Sequence, residues 1–215
     1  MRTMLVVVAT FVVVGMLSSR GVVAQEQAEQ SPAGQAQPAA ASEQKITPEQ
    51  MMAAVQKYGT PGKEHENLKP MAGTFDAEVT MQMDPTAPPM TSKGKTVNEL
   101  IFDGRFVKSE YAGDFMGSPF KGINLLGFDK LKEKYISLWT DSMSTGVMMS
   151  EGTSDDGGKT ITFKGDYDCP VTHTKKQMKQ VVKIEGDDAH TIEMYDIGTD
   201  GKEFKSMTIK YTRAK

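Results

Sequence analysis

The chain has 215 residues, of which 38% are apolar and 25% charged, and carries a formal net charge of −3. That length suits one domain with appendages. The balance excludes a fibrous repeat, a multi-span membrane protein and a strongly basic nucleic-acid binder, so no nucleic-acid partner is expected.

Met4 to Leu17 is the only long apolar run, and it follows Arg2. As a helix it spans about 21 Å at ~1.5 Å per residue, short of the roughly 30 Å hydrocarbon core of a bilayer. Val22 and Ala24 are small and precede Gln25, which suits signal-peptidase cleavage. Residues 1–24 therefore read as a signal peptide, with an uncleaved anchor as the alternative. No Cys follows the run, which excludes bacterial-type lipidation at that point. Cleavage removes Arg2 and Arg20 and no acid, leaving 23 basic against 28 acidic residues and a net charge of −5. The expectation is an exported bacterial protein, periplasmic, at the cell surface or secreted. It has no membrane contact once the leader is gone and no direct access to cytosolic ATP or NAD.

Residues 25–46 are mostly Gln, Ala, Glu, Ser and Pro, with Ile46 the one large aliphatic. Such a segment buries too little apolar surface to offset its ordering entropy and reads as a flexible tether. Residues 47–215 remain as a single domain. Its one cysteine, Cys169, makes no intrachain disulfide, so the domain relies on its core. Asp168 beside Cys169 is expected to raise the thiol pKa and blunt its reactivity.

A helix is predicted over residues 48–58. Thr47 can cap it, Pro48 suits its first turn and Gln50 completes a capping-box spacing. Met51, Met52 and Val55 form one apolar stripe, and Gly59 and Pro61 end the helix. A short turn is expected over His65–Met71. After Gly73 the period changes to two: Phe75, Ala77, Val79, Met81 and Met83 alternate with polar residues, as in a half-buried strand. Met207, Ile209 and Tyr211 share a face in the same way near the C-terminus.

Eight further strands are predicted between them: Thr96–Phe102, Arg105–Ala112, Phe120–Phe128, Lys134–Thr140, Gly146–Glu151, Thr160–Tyr167, Met178–Glu185 and Thr191–Ile197. Turn formers separate them, including Asp103-Gly104, Asp129-Lys130, Asp155-Asp156-Gly157-Gly158, Gly186-Asp187-Asp188 and Thr199-Asp200-Gly201. No helix-length link is available for a parallel crossover. The fold expected is therefore all-β, an up-and-down antiparallel barrel of nine to ten strands, with the helix covering one end. Closure removes the edges that would otherwise aggregate.

Pro61-Gly62-Lys63-Glu64-His65, Leu68 and Met71-Ala72-Gly73-Thr74-Phe75 resemble the opening of the domain of unknown function 1579 family. The resemblance continues at Gly127-Phe128-Asp129, Lys134-Tyr135 and Trp139-Thr140-Asp141-Ser142-Met143-Ser144-Thr145-Gly146. It closes at Met207 and Tyr211-Thr212-Arg213. It implies an exported bacterial protein and no established activity. A weaker resemblance links Gly73-Thr74-Phe75 and Arg213 to lipocalin-like barrels, with Phe in the place of Trp. It implies that Arg213 stacks on Phe75 and seals the barrel by a cation–π contact.

Catalytic signatures are absent: no nucleophile elbow, no zinc-protease helix, no phosphate-cradling loop and no dinucleotide fingerprint. His65, His173 and His190 fall on separate segments, without local zinc-ligand spacing. His190 shares inward parity with Ile192 and Met194, as a core or rim histidine does. It is the one candidate for a haem axial ligand. Asp141, Asp166 and Asp168 lie at strand ends, where solvated turn carboxylates are common. The Asp155–Gly158 turn lacks the ligand spacing of a helical calcium loop. No cofactor and no metal site is assigned.

Sixteen methionines are unusual, and three lie in the leader. Met81-Gln82-Met83 with Met90 has the spacing of exported copper(I) proteins, and Met143, Met148 and Met149 form a second group. Core filling is the competing explanation. The Trp139–Gly146 stretch is the best candidate site. A non-enzymatic barrel binding a small apolar or amphipathic ligand is expected, with Trp139, Asp141, Ser142, Met143, Met81, His65 and His190 as candidate contacts. The alternatives are a hydrolase or isomerase using Asp and His at the barrel mouth, a domain with a filled core, and methionine-based copper(I) binding. Cavity volume separates the enclosed-ligand reading from the filled core, because a barrel of about eight strands can be filled by its own side chains.

Overall fold

The computed structural model describes residues 45–198 and 200–215. The expected signal peptide, nearly all of the expected tether and Thr199 lie outside the described residues.

Helix α1 (Pro48–Gly59) starts with the capping box read from the sequence. The Gln50 N–H donates to Thr47 Oγ1 at 3.2 Å, and the Thr47 N–H donates to Gln50 Oε1 at 3.0 Å. None of its residues is buried. Its end is tied to the barrel through carbonyls: Arg105 Nε donates to Gly59 O at 2.8 Å, and Lys130 Nζ to Lys57 O and Thr60 O. The filling of that end falls instead to the next turns, α2 (Lys63–Glu66) and a 3-10 turn (Lys69–Met71). There His65, Leu68 and Met71 are buried.

Ten strands follow: β1 (Gly73–Met81), β2 (Met90–Ile101), β3 (Phe106–Phe115), β4 (Ser118–Asp129) and β5 (Lys134–Asp141), then β6 (Met148–Thr153), β7 (Thr160–Asp168), β8 (Lys175–Ile184), β9 (Ala189–Ile197) and β10 (Glu203–Arg213). Each pairs antiparallel with the next, and β1 pairs with β10, closing the barrel. The ladder joins Phe75 to Arg213 and Met81 to Met207. All ten predicted strands are present. The largest shift is in β2, which begins at Met90 rather than Thr96. Turns demand left-handed backbone where expected, as at Asp103 and Gly104, and also at Met116-Gly117, which joins β3 to β4. The loop between β6 and β7 is longer than a two-residue hairpin: Asp156 accepts hydrogen bonds from Ser154 Oγ and the Thr160 N–H.

The period-two reading of β1 holds, with Phe75, Ala77 and Val79 buried and Asp76, Glu78 and Thr80 exposed. Two apolar clusters fill the interior. One joins the plug residues Leu68 and Met71 to Val107, Leu126, Tyr135, Ile161, Phe163 and Val182. The other gathers Phe75, Ala77, Val79, Tyr111 and Tyr211, with Phe120, Trp139, Met207 and Ile209 packed against it. At the end opposite the plug, inward positions such as Met81, Phe115, Phe120, Met148, Met178, Met194 and Met207 are only half-buried. That end is open.

Candidate functional site

The two ends of the barrel are built differently, and the sequence-predicted residues divide between them. His65 belongs to the plug. Its Nδ1 accepts the Gly62 N–H at 3.0 Å, and its ring meets Phe128 edge-on at 6.0 Å. Burial pushes its pKa down, and its contacts are those of a structural residue.

Arg213 lies on β10 opposite Phe75 of β1, in the ladder that closes the barrel. Its guanidinium lies 4.5 Å over the Phe75 ring. It donates to Ala72 O at 3.0 Å, to Pro70 O at 3.1 Å and to Asp187 O, so one side chain ties β10, the plug and the β8–β9 turn together. Gly73 permits this approach: it has φ +126°, and a Cβ there would overlap the guanidinium.

His190 sits against the same closure. Its ring stacks on Tyr211 at 4.4 Å and meets Phe75 edge-on at 4.7 Å. It is only 3% exposed, and burial, aided by the nearby Arg213 charge, lowers its pKa to about 4. The inward parity read from the sequence is correct.

A polar band crosses the middle of the barrel. Thr96 Oγ1 donates to Asn98 Oδ1 at 2.7 Å, Asn98 Nδ2 to Met71 O at 2.8 Å and Ser137 Oγ to Asn124 Oδ1 at 3.2 Å. Among the described residues no buried side-chain N or O atom lacks a partner. Between this band and the aromatic rings lies a cavity of about 40 Å³, lined by Trp139, His190 and Tyr211 among others. That volume suits a water molecule rather than an organic ligand. The interior is full because large side chains lie across glycines: the Tyr111 ring occupies the space a Cβ would need at Gly94 and Gly113, Trp139 does so at Gly122, and Phe163 at Gly152.

Trp139 forms the floor of the open end. It stacks with Phe120 at 6.3 Å, and its Nε1 donates to Asp141 Oδ2 at 2.8 Å. The other Asp141 oxygen accepts the Met143 N–H, so this carboxylate organises the turn. Ser142 Oγ accepts the Lys121 N–H, and Met143 is 63% exposed in the turn. The structure thus brings Trp139 and His190 to one cavity and Met81 to the wall of the open end. It leaves Ser142 and Met143 in the turn and His65 at the far end. No Asp–His hydrogen bond forms among the described residues. Nor does any group of three His, Cys, Asp or Glu converge among them.

Two expectations are corrected. Met83 lies beyond the end of β1 and is 65% exposed, so it drops out of the first methionine group, in which Met81 stays paired with Met90, while the exposed Met143 and Met149 leave the second group unconverged. The Cys169 thiol is not pushed up by Asp168. Hydrogen bonds from the Thr172 hydroxyl and from the Thr172 and Val171 N–H groups hold it at about 7. The Asp168 carboxylate is drawn to Lys175 at 3.8 Å.

Sequence reasoning missed Met194 and Met207 as site residues. They become neighbours of Met81 only through the β9–β10 and β10–β1 ladders. Among the described residues no helix is long and apolar enough to cross a membrane.

A family model described as protein of unknown function (DUF1579) matches residues 60–213. No curated protein matches the chain. Twelve solved chains do. One is the crystal structure of Rv2717c from M. tuberculosis, 11% identical with a TM-score of 0.52, covering 73% of this chain and 100% of that one. At that identity the likeness concerns the barrel fold alone.

Proposed function

This chain belongs to the DUF1579 family of proteins of unknown function, and we propose that it is a non-enzymatic, exported barrel that binds a small apolar or amphipathic ligand at its open end. One observation carries the reading: half-buried inward methionines and aromatic rings line that end above a floor made by Trp139 and Phe120. Methionine walls adapt to varied apolar shapes, and aromatic floors add flat contact area. The enclosed cavity of about 40 Å³ moves the ligand out of the barrel centre and into the open cup. The same small cavity favours a rival, a domain whose filled core serves only to hold its surface in place. Export rests on the leader pattern in residues 1–24.

Native mass spectrometry of the chain purified from its producing cells tests both parts. The expected result is a mature mass starting at Gln25, with an organic adduct that leaves on activation. Trp139 is the only tryptophan, so its fluorescence reports the site directly. An apolar naphthalene-sulfonate probe at micromolar concentration is expected to shift its emission, and Phe120→Ala to weaken that response. Absence of both adduct and probe response assigns the barrel to the filled-core reading.

A further inference from the structure

Four methionines fall in one unbroken row across four neighbouring strands. Met90 of β2 pairs with Met81 of β1, Met81 pairs with Met207 of β10, and Met207 pairs with Met194 of β9. The adjacent inward row is chemically different, with Ser92, Val79, Ile209 and Ile192 in the same order. On β1, β10 and β9 the change from branched aliphatic to thioether happens in a single step toward the open end, and on β2 it runs from Ser92 to Met90. Met90 is 37% exposed, and Met81, Met207 and Met194 are half-buried, so solutes reach the row. Core filling does not require methionine at four consecutive lateral positions, since the branched residues of the next row already fill theirs. Met207 keeps the inward parity of Ile209 and Tyr211, and the β-bulge between Lys205 and Met207 turns Lys205 outward to Glu193. Bulges at barrel rims commonly re-aim a side chain in this way.

We infer that Met90, Met81 and Met207 form a binding site for a soft monovalent cation, copper(I), at the barrel mouth. Directly opposed residues on antiparallel strands hold their Cβ atoms about 4.5–5.5 Å apart. Three flexible thioethers at that spacing can turn their sulfurs toward one point above the central residue. Thioethers are neutral soft donors that suit copper(I) and discriminate against magnesium, calcium and manganese. Met81 and Met90 come from the consecutive strands β1 and β2, whereas Met207 joins them only through the β1–β10 ladder, so the full site exists only in the closed barrel. The inference stands apart from the apolar-ligand reading, because the cation needs only this row and not the aromatic floor.

The test is copper(I) titration of the full-length chain under ascorbate, in competition with bicinchoninate. Cys169→Ser is used as the background, because a thiolate would otherwise capture the ion. One copper(I) per chain is expected, with X-ray absorption showing sulfur as the only donor. Met81→Leu and Met207→Leu conserve volume. Each is expected to weaken binding about tenfold or more, while Met143→Leu in the exposed turn leaves it unchanged. Circular dichroism of each variant checks the fold. Copper(I) left entirely with bicinchoninate overturns the site. So does retention that Met81→Leu and Met207→Leu fail to weaken in folded protein. Trp139 emission with the naphthalene probe is read separately, so loss of one activity does not decide the other.

Discussion

His190 is held between Phe75 and Tyr211 at a position where charge is expensive, and its lowered pKa follows from that burial. The unfolded chain carries this histidine near its ordinary value of about 6.5. Above that pH both states are neutral and the group has no effect. As pH falls toward about 4 the unfolded state takes up the proton and the folded state resists it, so stability is lost. The loss amounts to about 3 kcal/mol once both pKa values are passed. His65 acts in the same direction, because burial lowers its pKa too. Glu193, held near 2 by Lys183 and Lys205, loses its contribution only at lower pH. Urea unfolding between pH 7 and 4 is expected to show a falling midpoint, and His190→Gln is expected to flatten most of that slope. An equally steep slope in the variant would remove His190 as its source. The inward parity of His190 was legible in the sequence, because alternation of apolar and polar residues fixes which face a strand residue takes. Its stacking partners were not, because Phe75 and Tyr211 come from other strands.

Helix α1 and the turns after it show how an element's pattern and its use can part. Met51, Met52 and Val55 make an apolar stripe at helical spacing, yet all three are exposed. The barrel end is filled instead by Leu68 and Met71 from short turns with little periodicity. The capping box made the helix predictable because its hydrogen bonds are local. Burial was not predictable, because it depends on which segment reaches the barrel first and fits the space. Leu68→Ala is expected to cost about 2–5 kcal/mol, as buried leucines do. Met52→Ala is expected to change stability by less than about 0.5 kcal/mol. Guanidinium denaturation of the two variants measures the contrast, and equal effects would contradict this division of labour. The strands behave more simply. Their existence followed from the two-residue period and turn chemistry, while their ends moved by up to six residues, as at β2, because polar residues such as Lys93 and Lys95 can extend an outward face without any apolar signal.

At the scale of the whole molecule, closure is the event that assembles both proposed sites. The β1–β10 ladder joins residues from opposite ends of the domain, and Arg213 secures it through Phe75 and the carbonyls of Pro70, Ala72 and Asp187. Arg213→Ala is expected to destabilise the chain by about 2–4 kcal/mol, since charge-assisted hydrogen bonds and a cation–π contact are lost together. Arg213→Lys recovers only part, because an ammonium cannot reach several carbonyls with a planar fork. Calorimetric melting of the three proteins orders them, and an unchanged melting temperature for Arg213→Ala would exclude this closure.

Local physics determined much of the protein from the sequence alone. Alternation and turn residues set the number and order of the strands, short links forced antiparallel pairing, and the Phe75–Arg213 contact was foreseen through family resemblance. The tertiary structure alone decided the rest. Tyr111, Trp139 and Phe163 fill the centre because glycines on the same or adjacent strands leave them room, so the interior became a core with a cavity of about 40 Å³. The methionine row likewise exists only across paired strands. The sequence grouped Met81, Met83 and Met90; strand register keeps Met90 beside Met81, adds Met207 and leaves Met83 out. Contacts between residues distant in the chain depend on register, and register is settled when the whole barrel closes and buries its face.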